Sequence, residues 1–528
     1  MKVVFLIITV LFGLANYFSE RFGHDPLTSF DITRFPKGSL FFTFVYIILL
    51  YAVLYYHCNS GIKRSKRPKG KFIFLLFVLY FSIGIFYLLI YYPGVGMEDS
   101  IEIVKSKSYG VARQHPWLYS LAIQRLAKIM LGLGYNYENV FFVEGIINVV
   151  ITSLASAYYV AWLGQKDVDD IPLFLIASFY AFDPMLNLYR VTLLKDIPFS
   201  YILTLWVPVL WDIYESRGKV LVKPGVFFQI VLTMFVSFIR GNGIYITLFI
   251  LAALLLNYKQ QRKIVLSFFA ILLMMESGNF AFEKAHNINH LFKETVGVPL
   301  QQIAATVQKD GVITGEQLDF IDKIIPVEFI KEKYDPYMAE PLKWRGSPID
   351  NDFLYEHKID FLKVWLQMLI PNFRIYVKAY LQITYGFWST GRNFDYIYRH
   401  STIYMPKYKD FFEKNHIQIQ NIFPEKTQKF LKNLTFNATR SAIGEGQIFW
   451  LFILLSMILA CIKGKKALIV CAPAFANWLT VMVSTPLAHS WRYILCIPVM
   501  IPLISGIILI RKSSYETMPI DKTSCTLS

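Results

Sequence analysis

The sequence predicts an all-α polytopic membrane protein, and three observations carry that expectation. Of its 528 residues, 55% are hydrophobic, 17% aromatic and only 17% charged, well to the apolar side of soluble chains. The apolar residues fall into blocks of roughly 15 to 22, each long enough to cross a hydrocarbon core of about 30 Å. The net charge of +16, from 53 basic and 37 acidic residues, sits in short segments beside those blocks. There it sets orientation and gives no sign of a nucleic-acid partner. A soluble enzyme is excluded, and the lipid bilayer is the first expected partner.

Taken in order, spans are expected at 3–17, 39–57, 72–92, 139–163, 171–188, 197–214, 225–239, 244–257, 264–282, 446–462, 467–485 and 493–510, about twelve in all. The first, from Met1 to Tyr17, has the charge and apolar run of a signal peptide. No convincing small-residue cleavage site follows, which favours a retained span. With the N-terminus inside, the cytoplasmic segments collect Lys63, Arg64, Lys66, Arg67, Lys69 and Lys71, then Arg217, Lys219 and Lys223. Lys259, Arg262 and Lys263 follow, then Lys463, Lys465 and Lys466, and finally Arg511 and Lys512, as the positive-inside rule asks. Only the loop 164–170, with Lys166 against Asp167, Asp169 and Asp170, adds little. The stretch 225–257 is short for two spans, but one bent span would put the Lys259 cluster on the opposite face. Two short helices joined by a tight turn at Arg240-Gly241-Asn242-Gly243 are therefore expected.

That register divides the chain into a membrane domain at 1–282, with its first acidic outer loop at 93–138, and a mainly helical extracytoplasmic domain at 283–445. C-terminal membrane helices at 446–512 and a cytoplasmic tail at 513–528 complete it. The outer segment is polar and mixed, with helical periodicity near 316–333 and 353–383. Its amphipathic stretch from Phe361 through Trp365 and Phe373 to Tyr380 suits a lipid surface, the membrane helices, or an ordinary half-buried helix. Cys58, Cys461, Cys471, Cys496 and Cys525 make neither a disulfide framework nor a metal-type spacing.

Distinctive polar clusters gather on the outer face. After the third span come Tyr92-Pro93-Gly94 and Glu98-Asp99-Ser100, then Gln114-His115-Pro116-Trp117. A carboxylate on such a turn can take a proton from a hydroxyl at the membrane surface, or merely cap the helix that starts near Ser100. His115 opens a helix with Leu118, Leu121, Ala122, Leu126, Ile129 and Met130 on one face, an interfacial pattern. Its imidazole can meet a phosphate or sugar, or serve only as a turn residue before proline. Asp183-Pro184, Tyr189-Arg190 and Lys195-Asp196 could position a leaving phosphate, or be solvated loop charge. Arg240 with Asn242, and His489-Ser490-Trp491-Arg492-Tyr493, complete the set. The planar guanidinium fork suits phosphate oxygens, with snorkelling at the membrane boundary as the plain alternative. The inventory requires no cofactor, although Glu98, Asp99 and Asp196 could hold a divalent ion, Mg or Mn, through oxygen ligands.

At these residues the chain resembles the GT-C superfamily of multi-pass glycosyltransferases, whose donors are sugars linked to polyprenyl phosphate. Glu98-Asp99 is similar to the essential acidic position of that superfamily's first large outer loop, and His115-Pro116-Trp117-Leu118 to the His-Pro element of its interfacial helices. A closer likeness covers most of residues 72 to 400. There, Tyr92-Pro93-Gly94 to Asp99-Ser100, Gln114-His115-Pro116, Leu194-Lys195-Asp196-Ile197-Pro198-Phe199, Arg240-Gly241-Asn242-Gly243 and the run Gly297 to Ile303 resemble GT-C-like membrane proteins found mostly in Gram-positive bacteria. The chain departs from the superfamily in placing two spans before the acidic loop and its outer domain ahead of the last three spans.

The resemblance implies a GT-C-like bundle and a plasma-membrane glycosyltransferase. Its donor would be a polyprenyl-phosphate sugar, and its acceptor a cell-surface glycan, teichoic acid or protein at the extracytoplasmic face. Asp99 would be the general base with Glu98 assisting, and Arg240, Arg492 and Lys195 would steady the departing phosphate. His115 and Asp196 would orient donor or acceptor, with Asn242 and His489 in the same substrate-binding set. A surface-polysaccharide polymerase or ligase would instead rely on Arg392, Arg399 and His400. A precursor transporter or flippase would show related halves and polar residues at mid-span. The sequence carries no such repeat.

Overall fold

The computed structural model describes residues 69–106, 115–288, 291–344, 346–390, 408–417, 422–440, 444–484 and 490–510. The expected spans at 3–17 and 39–57 lie outside them. Among the described residues every regular element is a helix, and pairing between extended segments is confined to two isolated bridges.

Among the described residues six helices are long and apolar enough to cross a bilayer: Gly70–Ile90, Tyr137–Gln165, Asp196–Glu215, Lys259–Ala285, Glu445–Lys463 and Lys465–Ser484. A seventh span arises if Asp170–Phe182 and Pro184–Arg190, bent by 49°, are one. The bend falls at Pro184, which has no N–H to continue the helical ladder. Pro224–Phe238, Gly243–Asn257 and Cys496–Leu509 are apolar but shorter. A helix of about 15 residues is only about 22 Å long, short of the hydrocarbon core. The expected spans from 72–92 onward thus each coincide with a helix or bent pair, but spanning length is reached by six or seven rather than by all. Outward faces stay apolar: Phe74, Leu75, Phe174, Leu175, Leu273 and Met274 are exposed. Water would penalise such a surface and lipid would not.

The turn at Arg240 has a clear geometry. Ser237 Oγ lies 3.3 Å from Thr247 Oγ1, whereas ten residues of continuous helix would part them by about 15 Å. The chain therefore reverses direction between the two short helices. Gly243 is required there, because a Cβ would sit 2.7 Å from Ser237 Cα.

Contacts between loops define two ends of the bundle. At one, Lys166 pairs with Asp212 at 2.7 Å and with Glu215 at 2.6 Å. The Tyr214 hydroxyl donates to the Lys463 carbonyl, Lys463 donates to the Ile510 carbonyl, and Gly218 lies against Tyr258 and Gln261. The basic segments around 166, 217, 259 and 463 thus share one end. The turns bearing Asp99, Lys195, Arg240 and Arg492 meet at the other.

Residues 292–383 fold around a second apolar core that includes Leu300, Ile303, Ile330, Phe361, Met368 and Tyr376. The amphipathic stretch is a half-buried helix pair, Lys358–Leu369 and Phe373–Ile383. Phe361, Met368 and Tyr376 turn into this core, while Leu366, Ile370, Phe373 and Val377 stay exposed. The chain rejoins the membrane bundle at Tyr385–Trp388, where Trp450 Nε1 donates to the Trp388 carbonyl at 2.8 Å. In the helix Trp117–Gly132 the buried side is Ser120, Ile123 and Ala127, and Leu118 and Ile129 on the expected apolar face are exposed. Its small residues Ser120 and Ala127 allow close approach to the helix Tyr137–Gln165, and Leu121, Leu126 and Met130 of the apolar stripe are half-buried.

Candidate active site

The site is assembled by stitching two loops together. Val95 N–H donates to Val191 O at 3.0 Å, and Leu193 N–H donates back to Val95 O at 2.9 Å. Ser100 Oγ donates to the Leu193 carbonyl, and Asn148 Nδ2 donates to Thr192 O at 3.0 Å. These bonds bring the helix Glu98–Lys105 beside Lys195. Met97 occupies its N-cap position, with Glu98 and Asp99 in the first turn, where the helix dipole favours negative charge.

Asp99 therefore lies inside that helix and is not its cap, contrary to the capping alternative read from the sequence. Its Oδ2 lies 2.9 Å from Arg492 Nη1 and 3.9 Å from Lys195 Nζ. Lys195 Nζ in turn lies 2.8 Å from His115 Nδ1. Beside this cluster Arg240 Nε reaches Asp196 Oδ1 at 3.2 Å, and the guanidinium carbon sits 5.4 Å from the Phe199 ring centre and 5.0 Å from that of Tyr493. Asp196 is only 2% exposed, a depth at which a carboxylate needs its cation. Asn242 Nδ2 donates to Thr480 Oγ1 at 2.8 Å and to Asn477 Oδ1 at 3.2 Å. Glu98 is exposed at the same helix start.

Asp99, His115, Lys195, Asp196, Arg240, Asn242 and Arg492 line one cavity of about 1440 Å³ between the apolar helix bundle and the region 292–383. Trp117, Asn279 and Glu283 join them from the bundle side, and Glu294, Lys343 and Trp344 from the outer side.

Burial works against the Asp99 carboxylate, but Arg492, Lys195 and His115 outweigh it and hold its carboxyl well below the usual range. Burial first, then the Lys195 charge, push His115 down to about 4, so its ring is neutral at pH 7. Burial also lowers the Lys195 ammonium, against the pull of Asp99 and Asp196. The arrangement can offer a carboxylate to a hydroxyl and cations to an oxyanion within one space. Among the described residues no group of three or more His, Cys, Asp or Glu converges as a metal-ligand set.

Residues 106–518 match the model of a family described as of unknown function, DUF6020. The chain belongs to the DUF6020 family. No curated protein and no solved structure matches it. His115, Lys195, Asp196, Arg240, Asn242 and Arg492 fall inside the DUF6020 match, and Glu98 and Asp99 lie just ahead of it.

Of the residues singled out in the sequence, Glu98, Asp99, His115, Lys195, Asp196, Arg240, Asn242 and Arg492 all line the cavity. His489 and the rival set Arg392, Arg399 and His400 lie outside the described residues. Asp183 and Arg190 are corrected. Asp183 Oδ1 caps the next helix, accepting from Leu186 N at 2.7 Å. Arg190, fully buried, donates to Asn187 Oδ1 at 2.9 Å, Tyr80 O at 3.1 Å and Tyr180 O at 3.2 Å. The bend at Pro184 turns it into the bundle, where neutral acceptors hold it.

Sequence reasoning missed a buried pair, Tyr119 Oη donating to Glu144 Oε1 at 2.8 Å. Its signal was available: an acid inside an apolar block is a functional hint by position alone. The outer-side lining, Glu294, Lys343 and Trp344, carried no comparable mark in this DUF6020 chain.

Proposed function

We propose that the chain is a membrane glycosyltransferase that moves a sugar from a polyprenyl-phosphate donor to a cell-surface glycan, teichoic acid or protein. One observation carries the reading. Carboxylates and cations scattered from residue 98 to residue 492, with Asp99 paired to Arg492 and Lys195 among them, converge on one roomy cavity at the end of the bundle opposite the basic turns. The positive-inside rule puts the basic end in the cytoplasm and the cavity at the extracytoplasmic face, where lipid-linked sugars and surface acceptors are within reach. The bundle would then be GT-C-like, as the resemblance implies.

In this reading Asp99 takes the proton of the acceptor hydroxyl as its oxygen bonds to the anomeric carbon. The bond from that carbon to the phosphate oxygen breaks, and its electron pair leaves with the phosphate. Arg492 and Lys195 neutralise the charge that develops there. Asp196 holds Arg240 in place, and Asn242 lines the same cavity.

The test uses purified protein in lipid nanodiscs with a panel of polyprenyl-phosphate sugars and membrane-extracted acceptors. Transfer of labelled sugar to an acceptor supports the reading. Movement of the intact donor between leaflets of proteoliposomes, with no sugar transferred, replaces it by the flippase reading.

A further inference from the structure

Within ion-pair reach of one another lie three cations, Arg240, Arg492 and Lys195, and two carboxylates, Asp99 and Asp196. Arg240 is committed to Asp196 at 3.2 Å and lies between the Phe199 and Tyr493 rings. That leaves Arg492 and Lys195 to share Asp99, and they approach the same oxygen, Oδ2. Two positive charges therefore face one negative charge, with only 12% of each cationic side chain exposed. Surplus charge at that depth is costly until an anion offsets it. Arg492 also keeps a buried Nε–H with no partner, a donor whose desolvation is uncompensated.

His115 adds a third donor. A charged Lys195 ammonium can only donate, so His115 Nδ1 accepts from it at 2.8 Å. The ring proton is then on Nε2. His115 is 6% exposed and lines the cavity, so Nε2–H is left to donate to what enters.

We infer that Arg492, Lys195 and His115 form a seat for a phosphate group, and that the Asp99 carboxylate occupies this seat until a phosphate displaces it. Asp99 fits the role of an internal occupant because it stands on the first turn of a helix and keeps 25% of its side chain exposed to the cavity. A phosphate offers several oxygens where Asp99 offers one, so it can engage Arg492 and Lys195 together with the Nε2–H of His115.

One consequence deepens the glycosyl-transfer reading and rests on it. Displacement strips Asp99 of the two cations that make it a poor base and leaves it beside an anion that makes it a better one. The donor then switches on the base that its own reaction needs, and an empty site holds the carboxylate inert. The other charged side chains lining this space are Glu98, Glu102, Asp196, Glu276, Glu283, Glu294 and Glu340, with Arg240 and Lys343.

The test is binding, which does not depend on transfer. Wild type, Asp99→Asn and Arg492→Gln are titrated in nanodiscs with a polyprenyl monophosphate, and separately with inorganic phosphate. Removing the internal occupant is expected to tighten binding about ten-fold or more, and removing Arg492 to weaken it by a similar factor. A gain for both ligands assigns the seat to phosphate from any source, and a gain for the lipid alone assigns it to a headgroup. A purely structural Asp99 gives the opposite sign. If Asp99→Asn binds no more tightly than wild type, the inference is overturned. Asp99→Ser serves as the second variant should the first not fold. Tighter binding with no transfer from any donor keeps the seat and removes the transferase reading, while transfer with unchanged affinity does the reverse.

Discussion

The two ends of the bundle use the same residue types to different effect. At the basic end, Lys166 bridges Asp212 and Glu215 with side chains 22%, 35% and 49% exposed. Water and salt screen such pairs, which are worth about 0–1 kcal/mol each. At the cavity end, the Asp99, Arg492, Lys195, Arg240 and Asp196 side chains are 2 to 25% exposed. There, charges interact strongly and cannot be left unpaired without cost. Exposed charge at one end is the kind that the positive-inside rule reads for orientation. Buried charge at the other is suited to chemistry, because its pairing can be exchanged for a ligand's.

Four variants would break or sharpen that contrast. Arg492→Gln removes the cation nearest Asp99 and is expected to cut the transfer rate by about 10²–10³ while leaving the thermal midpoint of the detergent-solubilised protein close to wild type. Arg190→Met does the converse. It strands the Tyr80 and Tyr180 carbonyls and Asn187, costing about 1–3 kcal/mol, yet the folded fraction keeps its transfer rate. Equal losses of activity in the two would erase the distinction between a site arginine and a structural one.

His115→Asn should change the pH dependence of stability. The folded protein holds His115 neutral down to about 4, against an ordinary 6.5. Between those values the unfolded chain binds the extra proton, so wild type loses stability as pH falls from about 6.5 to about 4. The variant should show a shallower decline over that window in thermal unfolding. Asp99, with its pKa depressed, loses its contribution only at still lower pH. The smallest effect belongs to Lys166→Met, expected to cost less than about 1 kcal/mol and to leave transfer unchanged. A large loss of transfer there would mean that the basic end takes part in the chemistry.

Much of this was legible in the sequence, for definite reasons. Lys and Arg beside apolar blocks report which loops share a face, so Asp99, His115, Lys195, Arg240 and Arg492 could be grouped before any contact was known. Their convergence was not legible, because Asp99 and Arg492 are 393 residues apart and meet only through folding. Loop position also misled. Arg190 occupies the same inter-span segment as Lys195, and Asp183 the end of the span before it, but the bend at Pro184 sends Arg190 into the bundle. Helix length was not legible either. Hydropathy marks apolar segments, whereas length depends on where a helix breaks, as at Phe235–Phe238, where it tightens to a 3-10 turn.

The most direct test of the central claim is single-turnover sugar transfer by wild type and Asp99→Asn side by side, with label followed in both the acceptor and the released polyprenyl phosphate. The account predicts one sugar transferred per polyprenyl phosphate released in wild type, and a fall of about 10²–10⁴ in the variant with its fold intact. Equal rates in the two proteins would contradict it, as would a wild type that leaves every donor whole.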